Sequence, residues 1–242
     1  MKRSIRLTLI VATACTALGV AAAAPAFAAS TPAPSPTKSS TSPRSLADIQ
    51  AAGASKTSQR IASLHTTIGK ATANAGLTAS DRSTILKTLN SDLTGMTTVA
   101  TKIAADTTSA QAAADYKTIF STYRVYAVGL PQARFAAAAD SMTTTLPKLG
   151  ATEKRLSALL AGKDASKSTA ALQADLSDMT AQIAKAASAS SGVAASVLAV
   201  TPAQYDSNHA VLSAAKQSVL TARAAVKQAH ADALAVRSAL KK

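Results

Sequence analysis

The chain has 242 residues, with 26 Lys and Arg against 12 Asp and Glu, no Trp, one Cys and an abundance of Ala, Ser and Thr. One cysteine excludes a disulfide framework and a cysteine-rich metal site. The thinly spread positive charge, without runs of five or more, favours anionic partners such as wall polymers, lipid headgroups or nucleic acid, or else only a solvated surface.

Lys2, Arg3 and Arg6 precede an apolar run from Leu7 to Ala24, and Ala26-Phe27-Ala28 supplies small residues where a signal peptidase reads. This is the pattern of a secretory signal peptide over 1–28. Cys15 lies inside the run without the Leu a lipidation site wants three places upstream, so it is expected to leave with the signal. Three of the 26 basic residues lie in 1–28, which leaves 23 against 12 acidic and a net charge of about +11. The expected product is secreted, extracellular or wall-associated, with no transmembrane anchor.

Residues 29–45 contain four of the eight prolines among Ser and Thr, a composition that builds no core and reads as a disordered spacer. From 46 to 242 the apolar residues recur at helical spacing. Ile61, Leu64, Ile68, Ala71 and Ala75 mark a first helix over about 45–75, stopped by Gly76. Thr78 or Ser80 caps a second, whose stripe is Ile85, Leu89, Leu93, Met96, Ala100 and Ile103. Ser109 caps a third, ending near Tyr123.

Arg124-Val-Tyr-Ala-Val-Gly-Leu-Pro131 alternates β-branched residues and contains Gly and Pro, so an extended connection is expected there. A fourth helix starts near Pro131 and reaches Leu160, with Pro147 a candidate kink and Gly162 a stop. Ser168 caps a fifth, carrying Leu172, Leu176, Met179 and Ile183, with a weak stretch at Ser191-Gly192. Thr201-Pro202-Ala203-Gln204 has the form of a capping box opening a final helix. From Leu212 to Leu240, steps of three and four alternate without error through Ala215, Val219, Ala222, Val226, Ala229, Ala233 and Val236. That is a heptad seam for a close antiparallel neighbour. An internal partner is favoured over self-association through a coiled coil, and hence a monomer.

The resulting expectation is all-α: an elongated antiparallel helical bundle of four to six helices over 46–242, with coiled-coil-like packing and one non-helical break near 124–131.

The search for chemistry finds little. His65, His209 and His230 sit on different segments without ligand spacing, and the one Glu, Glu153, and eleven Asp include no supported acid–base pair. Asp175 and Asp178 share a helix face, as solvated residues do. The nucleophile-elbow, zinc, P-loop and dinucleotide motifs lack their diagnostic residues. Leu146-Pro147-Lys148-Leu149-Gly150 resembles a sortase signal but has Leu149 where Thr is required. No enzyme, metal or cofactor is expected.

Two features exceed background. Tyr116, Phe120, Tyr123, Tyr126 and Phe135 are five of the six aromatics outside 1–28, in a window that also holds Arg124 and Arg134. They read either as the bulky anchor of an alanine-rich core or as a ligand groove formed by Tyr123, Arg124, Tyr126 and Arg134. Lys216, Arg223, His230 and Arg237 recur every seven residues beside the seam. They read either as flanking side chains whose stems cover apolar surface or as an anion-binding stripe. Aromatics are not interleaved with them, which argues against specific nucleic-acid binding.

The run Tyr123-Arg-Val-Tyr126-Ala-Val-Gly-Leu-Pro131-Gln-Ala-Arg134-Phe-Ala-Ala-Ala-Ala-Asp140, inside a helical chain behind a signal peptide, resembles uncharacterised secreted proteins of actinobacteria. The likeness spans 46–242 and implies a Gram-positive envelope or medium, without assigning a role to any residue. Two functions follow from the sequence: a noncatalytic envelope protein acting as a structural or interaction module, with a wall polymer or another envelope protein as partner; or a binding protein for an anionic ligand.

Overall fold

Side-chain caps set five of the helix starts in the computed structural model, which describes residues 44–241. Ser45 closes a capping box with Asp48 to open α1 (Leu46–Ala73), and Thr78 accepts from the Asp81 N–H to open α2 (Ala79–Ala105). Thr108 opens α3 (Ser109–Ser121) and Thr169 opens α5 (Ala170–Ser190), each one residue from the serine favoured by sequence. Each such cap satisfies an otherwise orphaned N–H and is worth about 1 kcal/mol. The helix α4 (Leu130–Ala161) runs unbroken through Pro147 and ends at Gly162. The calls on 1–28 and on most of 29–45, Cys15 included, lie outside the described residues.

Two connections differ from expectation. The break at 124–131 is narrower: the chain leaves helical geometry only at Tyr123 and Arg124, and Val125–Gly129 then winds as a π turn into α4. The extended reading fails because Val125 and Val128, three apart, are both buried, a spacing that winding satisfies and a strand does not. The capping box at Thr201 and Gln204 forms, but its helix α7 (Pro202–Ser207) stops after six residues. A short α6 (Val193–Leu198) precedes it, and the heptad helix α8 (Ser213–Leu240) starts separately.

The described residues contain no strand, and their helices pack on one another throughout. α1 and α2 form an antiparallel hairpin: the Gln50 amide near the start of α1 donates to the Asp106 carbonyl just past the end of α2 (3.0 Å). α3 lies against both. α5 and α8 are also antiparallel, since Lys167 before α5 donates to the carbonyl of Leu240 at the end of α8. The seam foreseen from Leu212 onward is therefore filled within the chain, by α5.

Two apolar clusters result. The first gathers Leu64, Ile85, Leu89, Met96, Ile103 and Ile119 with Ala133 and Ala136 of α4, Val197 of α6 and Val219 of α8. The second gathers Leu149, Leu156 and Leu160 of α4 with Leu172, Leu176 and Met179 of α5 and Ala229, Ala233 and Val236 of α8. α4 and α8 are thus the two helices whose buried faces serve both clusters. Polar ties reinforce the first: Gln132 donates to the carbonyls of Val197 and Val200, and buried Asp140 accepts from the Thr78 N–H (2.8 Å). No helix among the described residues is long and apolar enough to cross a membrane.

Candidate functional site

Tyr123, Arg124, Tyr126 and Arg134 do not face one groove. Tyr123 lays its ring on Gly95 of α2, so closely that it fills the space a Cβ there would need. Arg124 takes a left-handed backbone conformation (φ 47°, ψ 35°) and reaches α7, where it pairs with Asp206 and stacks over Tyr205 at 5.6 Å. The Tyr126 hydroxyl donates to the Gln59 carbonyl of α1 (3.1 Å) and lies 3.1 Å from Ser63 Oγ. Arg134 projects from α4 toward solvent.

The aromatics around these residues act as core. Tyr116, Phe120, Tyr123 and Phe135 all pack against the first apolar cluster, and Tyr116 and Phe120 meet at 5.3 Å in a tilted pair. Their organising partner was not singled out in the sequence. Arg60 of α1, only 7% exposed, holds its guanidinium 4.7 Å from the ring centroids of both Phe120 and Tyr126 and donates to the Lys56 carbonyl (3.0 Å). Burial lowers its pKa, while the neighbouring Tyr126 and Tyr116 act the other way. The sequence signal was the aromatic window; the cation that completes it comes from some sixty residues upstream, where local spacing carries no trace of it.

Cations converge elsewhere. A cleft of about 450 Å³ between α1, α4 and α8 is lined by Lys70, Arg134 and Arg223, one from each helix, with Thr67, Asn74 and Ser141 as polar neighbours. Among the described residues no carboxylate lines it. Among the described residues the ion pairs are Arg124–Asp206 and Lys167–Asp164, so none of the three cations is neutralised by a side chain. The fold thus joins one member of each sequence-derived set, Arg134 and Arg223, and adds Lys70. The stripe on α8 is real as a surface: Lys216, Arg223, His230 and Arg237 are all exposed.

The carboxylates are placed apart from these cations. Asp140 and Asp81 line a separate cleft with Met142, Ser190 and Ser191. Burial raises the pKa of Asp140 first, the Thr78 N–H lowers it, and Asp81 raises it again. Asp232 of α8, 6% exposed, faces Asp175 and Asp178 of α5. The histidines are dispersed and exposed, with His209 set edge-on against Tyr205 at 4.9 Å. Among the described residues, no three His, Cys, Asp or Glu side chains are grouped so as to hold a metal ion.

What this arrangement can do is bind negative charge. Arginine presents a planar fork that matches phosphate or carboxylate, and an ammonium adds a point charge. No protein-family model matches the chain, and no curated protein or solved structure matches it.

Proposed function

We propose that this is an exported, noncatalytic helical binding protein of the cell envelope whose ligand is anionic and is held in the cleft of Lys70, Arg134 and Arg223. The observation that carries the reading is the convergence of three cations from three helices on one concave site with no carboxylate among its lining residues. Like charges gathered this way repel one another, and an anion removes that repulsion while gaining charge-assisted hydrogen bonds. Export and envelope location rest on the signal-like segment 1–28, and the noncatalytic reading on the missing motifs.

The test is calorimetric titration of the purified protein with tripolyphosphate at low and rising salt. Saturable binding that weakens with salt, and that Arg134→Ala with Arg223→Ala lowers at least about tenfold, supports the reading. Equal binding by the double variant, with its helicity intact, removes it.

A further inference from the structure

The cleft of Lys70, Arg134 and Arg223 is not the only cationic one on α4 and α8. A second cleft of about 340 Å³ between α4 and α8 is lined by Arg155 and Arg237, with Thr152, Leu156, Leu159 and Leu240. Arg134 and Arg155 lie on α4, Arg223 and Arg237 on α8, and the lower-numbered pair shares the first cleft while the higher-numbered pair shares the second. The two helices therefore run side by side in the same direction. Between the clefts, exposed Lys148 stands two heptads after Arg134 and one before Arg155, and exposed His230 stands midway between Arg223 and Arg237. Seven-residue spacing keeps each set on one side of its helix.

Both rows lack carboxylate neighbours in the clefts. α4 and α8 carry three acids: Asp140, which lines the separate cleft with Asp81; Asp232, buried toward α5; and Glu153. Glu153 stands two residues before Arg155, about 200° round the helix from it. On α8, fourteen residues separate Arg223 from Arg237, about 21 Å of helix. A small anion reaches one cleft; only a chain reaches both.

We infer that the α4–α8 groove holds a linear, phosphate-bearing polyanion lengthwise, with anionic groups seated at both clefts. This rests on the anion-binding reading of the first cleft and extends it to a polymer. Four of the five cations in the two clefts are arginines, whose fork suits phosphate oxygens. The second cleft offers one hydroxyl, from Thr152, and no amide, so it recognises charge rather than a sugar. Among the described residues no aromatic lines either cleft, so nucleobases find no stacking platform there.

The experiment compares long-chain inorganic polyphosphate with tripolyphosphate, which is too short to span the clefts, on the purified protein. Wild type is expected to bind the long chain more tightly, with a steeper loss on adding salt. Arg155→Ala with Arg237→Ala should lower long-chain affinity at least about tenfold while leaving tripolyphosphate binding unchanged. Arg155→Lys with Arg237→Lys, which keeps the charge but not the fork, should lose less than the alanine pair and bind more weakly than wild type, and Lys117→Ala with Lys185→Ala, an equal loss of charge on exposed parts of α3 and α5, should not move it.

Tripolyphosphate binding that persists while the Arg155/Arg237 double variant binds long chains like wild type overturns the groove and spares the first cleft. Tighter binding of poly-glutamate than of long-chain polyphosphate overturns the phosphate assignment. Absence of binding to either phosphate probe at low salt overturns both the groove and the reading on which it rests.

Discussion

Tyr123 rests its ring on the backbone of Gly95, in the space a β-carbon would fill. The interaction seats the middle of the aromatic window on α2 just where the chain leaves α3, so the course of the following turn depends on a missing side chain. Gly95→Ala is therefore expected to destabilise the protein by about 1–3 kcal/mol, although alanine is the better helix former by about 1 kcal/mol. Gly69→Ala is the control: nothing lies within 4 Å of its added Cβ, and it should stabilise by about 0.5–1 kcal/mol. Urea denaturation of both variants reads the contrast. In a Tyr123→Ala background the Gly95→Ala effect should change sign; persistence of the loss there rules out the ring as its cause.

Arg60 supplies the second anchor. Its guanidinium lies 4.7 Å from the centroids of two aromatic rings and its Nε has no hydrogen-bond partner, so the stacking and the stem's packing hold it in place together with the bond to the Lys56 carbonyl. Arg60→Lys keeps charge but loses the planar face, and should cost about 1–2 kcal/mol. Arg60→Met keeps the stem without charge and should cost less than Arg60→Ala, which also leaves a cavity. Thermal unfolding ranks the three. Equal stability of the Lys variant and wild type would show that the planar face adds nothing beyond its charge.

The starts of α1 to α5, to within a residue or so, the heptad seam and the packing role of Tyr116, Phe120, Tyr123 and Phe135 were legible because they depend on residues within a turn or two of one another. Thr78, Gly162 and the Thr201–Gln204 box needed no tertiary information. The π turn was missed because β-branched Val125 and Val128 beside Gly129 and Pro131 suggest a break in the helix, whereas their three-residue spacing, with both buried, fits a wound turn. The cation cleft was half legible: Arg134 and Arg223 each stood out, on separate grounds. Their meeting, and Lys70 beside them, depends on how α1, α4 and α8 pack, which no local spacing encodes.

Arg124 shows the difference between a conspicuous residue and a binding residue. Its charge is committed to Asp206 on α7, so Arg124→Ala should leave tripolyphosphate affinity unchanged within about twofold, whereas Arg134→Ala should not. A double-mutant cycle with Asp206→Ala should give a coupling of about 0.2–1 kcal/mol, the range for partly exposed pairs. Coupling near zero would mean that the pair does not hold α7 in place.

Asp92 makes stability depend on pH. Burial pushes its carboxyl up to about 6, and its Oδ2 stands over Gly129, 3.0 Å from where a Cβ there would sit. A carboxyl whose folded-state pKa is raised binds its proton more tightly when folded, so its contribution to stability falls as pH rises from about 4 through about 6 and stays low above that. Asp92→Asn should therefore stabilise at pH 7.5, by about 1 kcal/mol after allowance for partial exposure, and give little gain at pH 4. Chemical denaturation at the two pH values checks it; a gain that does not vary with pH would assign the effect to packing.

The same sign holds in the α5–α8 seam. Asp232 accepts from the Gln228 amide through Oδ1 (2.8 Å), but Oδ2 is buried without a partner, and Asp178 and Asp175 face it. Burial raises its pKa first and the facing carboxylates add to the rise, against the Gln228 hydrogen bond. Stability from this residue is thus greatest when the carboxyl is protonated and declines as pH rises through its elevated pKa. Asp232→Asn removes the charge and places an amide donor toward Asp178. It should raise stability at pH 7.5 by about 1 kcal/mol and flatten the pH profile. Asp232→Leu tests whether charge alone matters: it removes the repulsion but also the hydrogen bond to Gln228. A leucine variant as stable as the asparagine one makes relief of buried charge the whole effect, whereas a less stable one gives the remainder to hydrogen bonding or fit in the alanine seam.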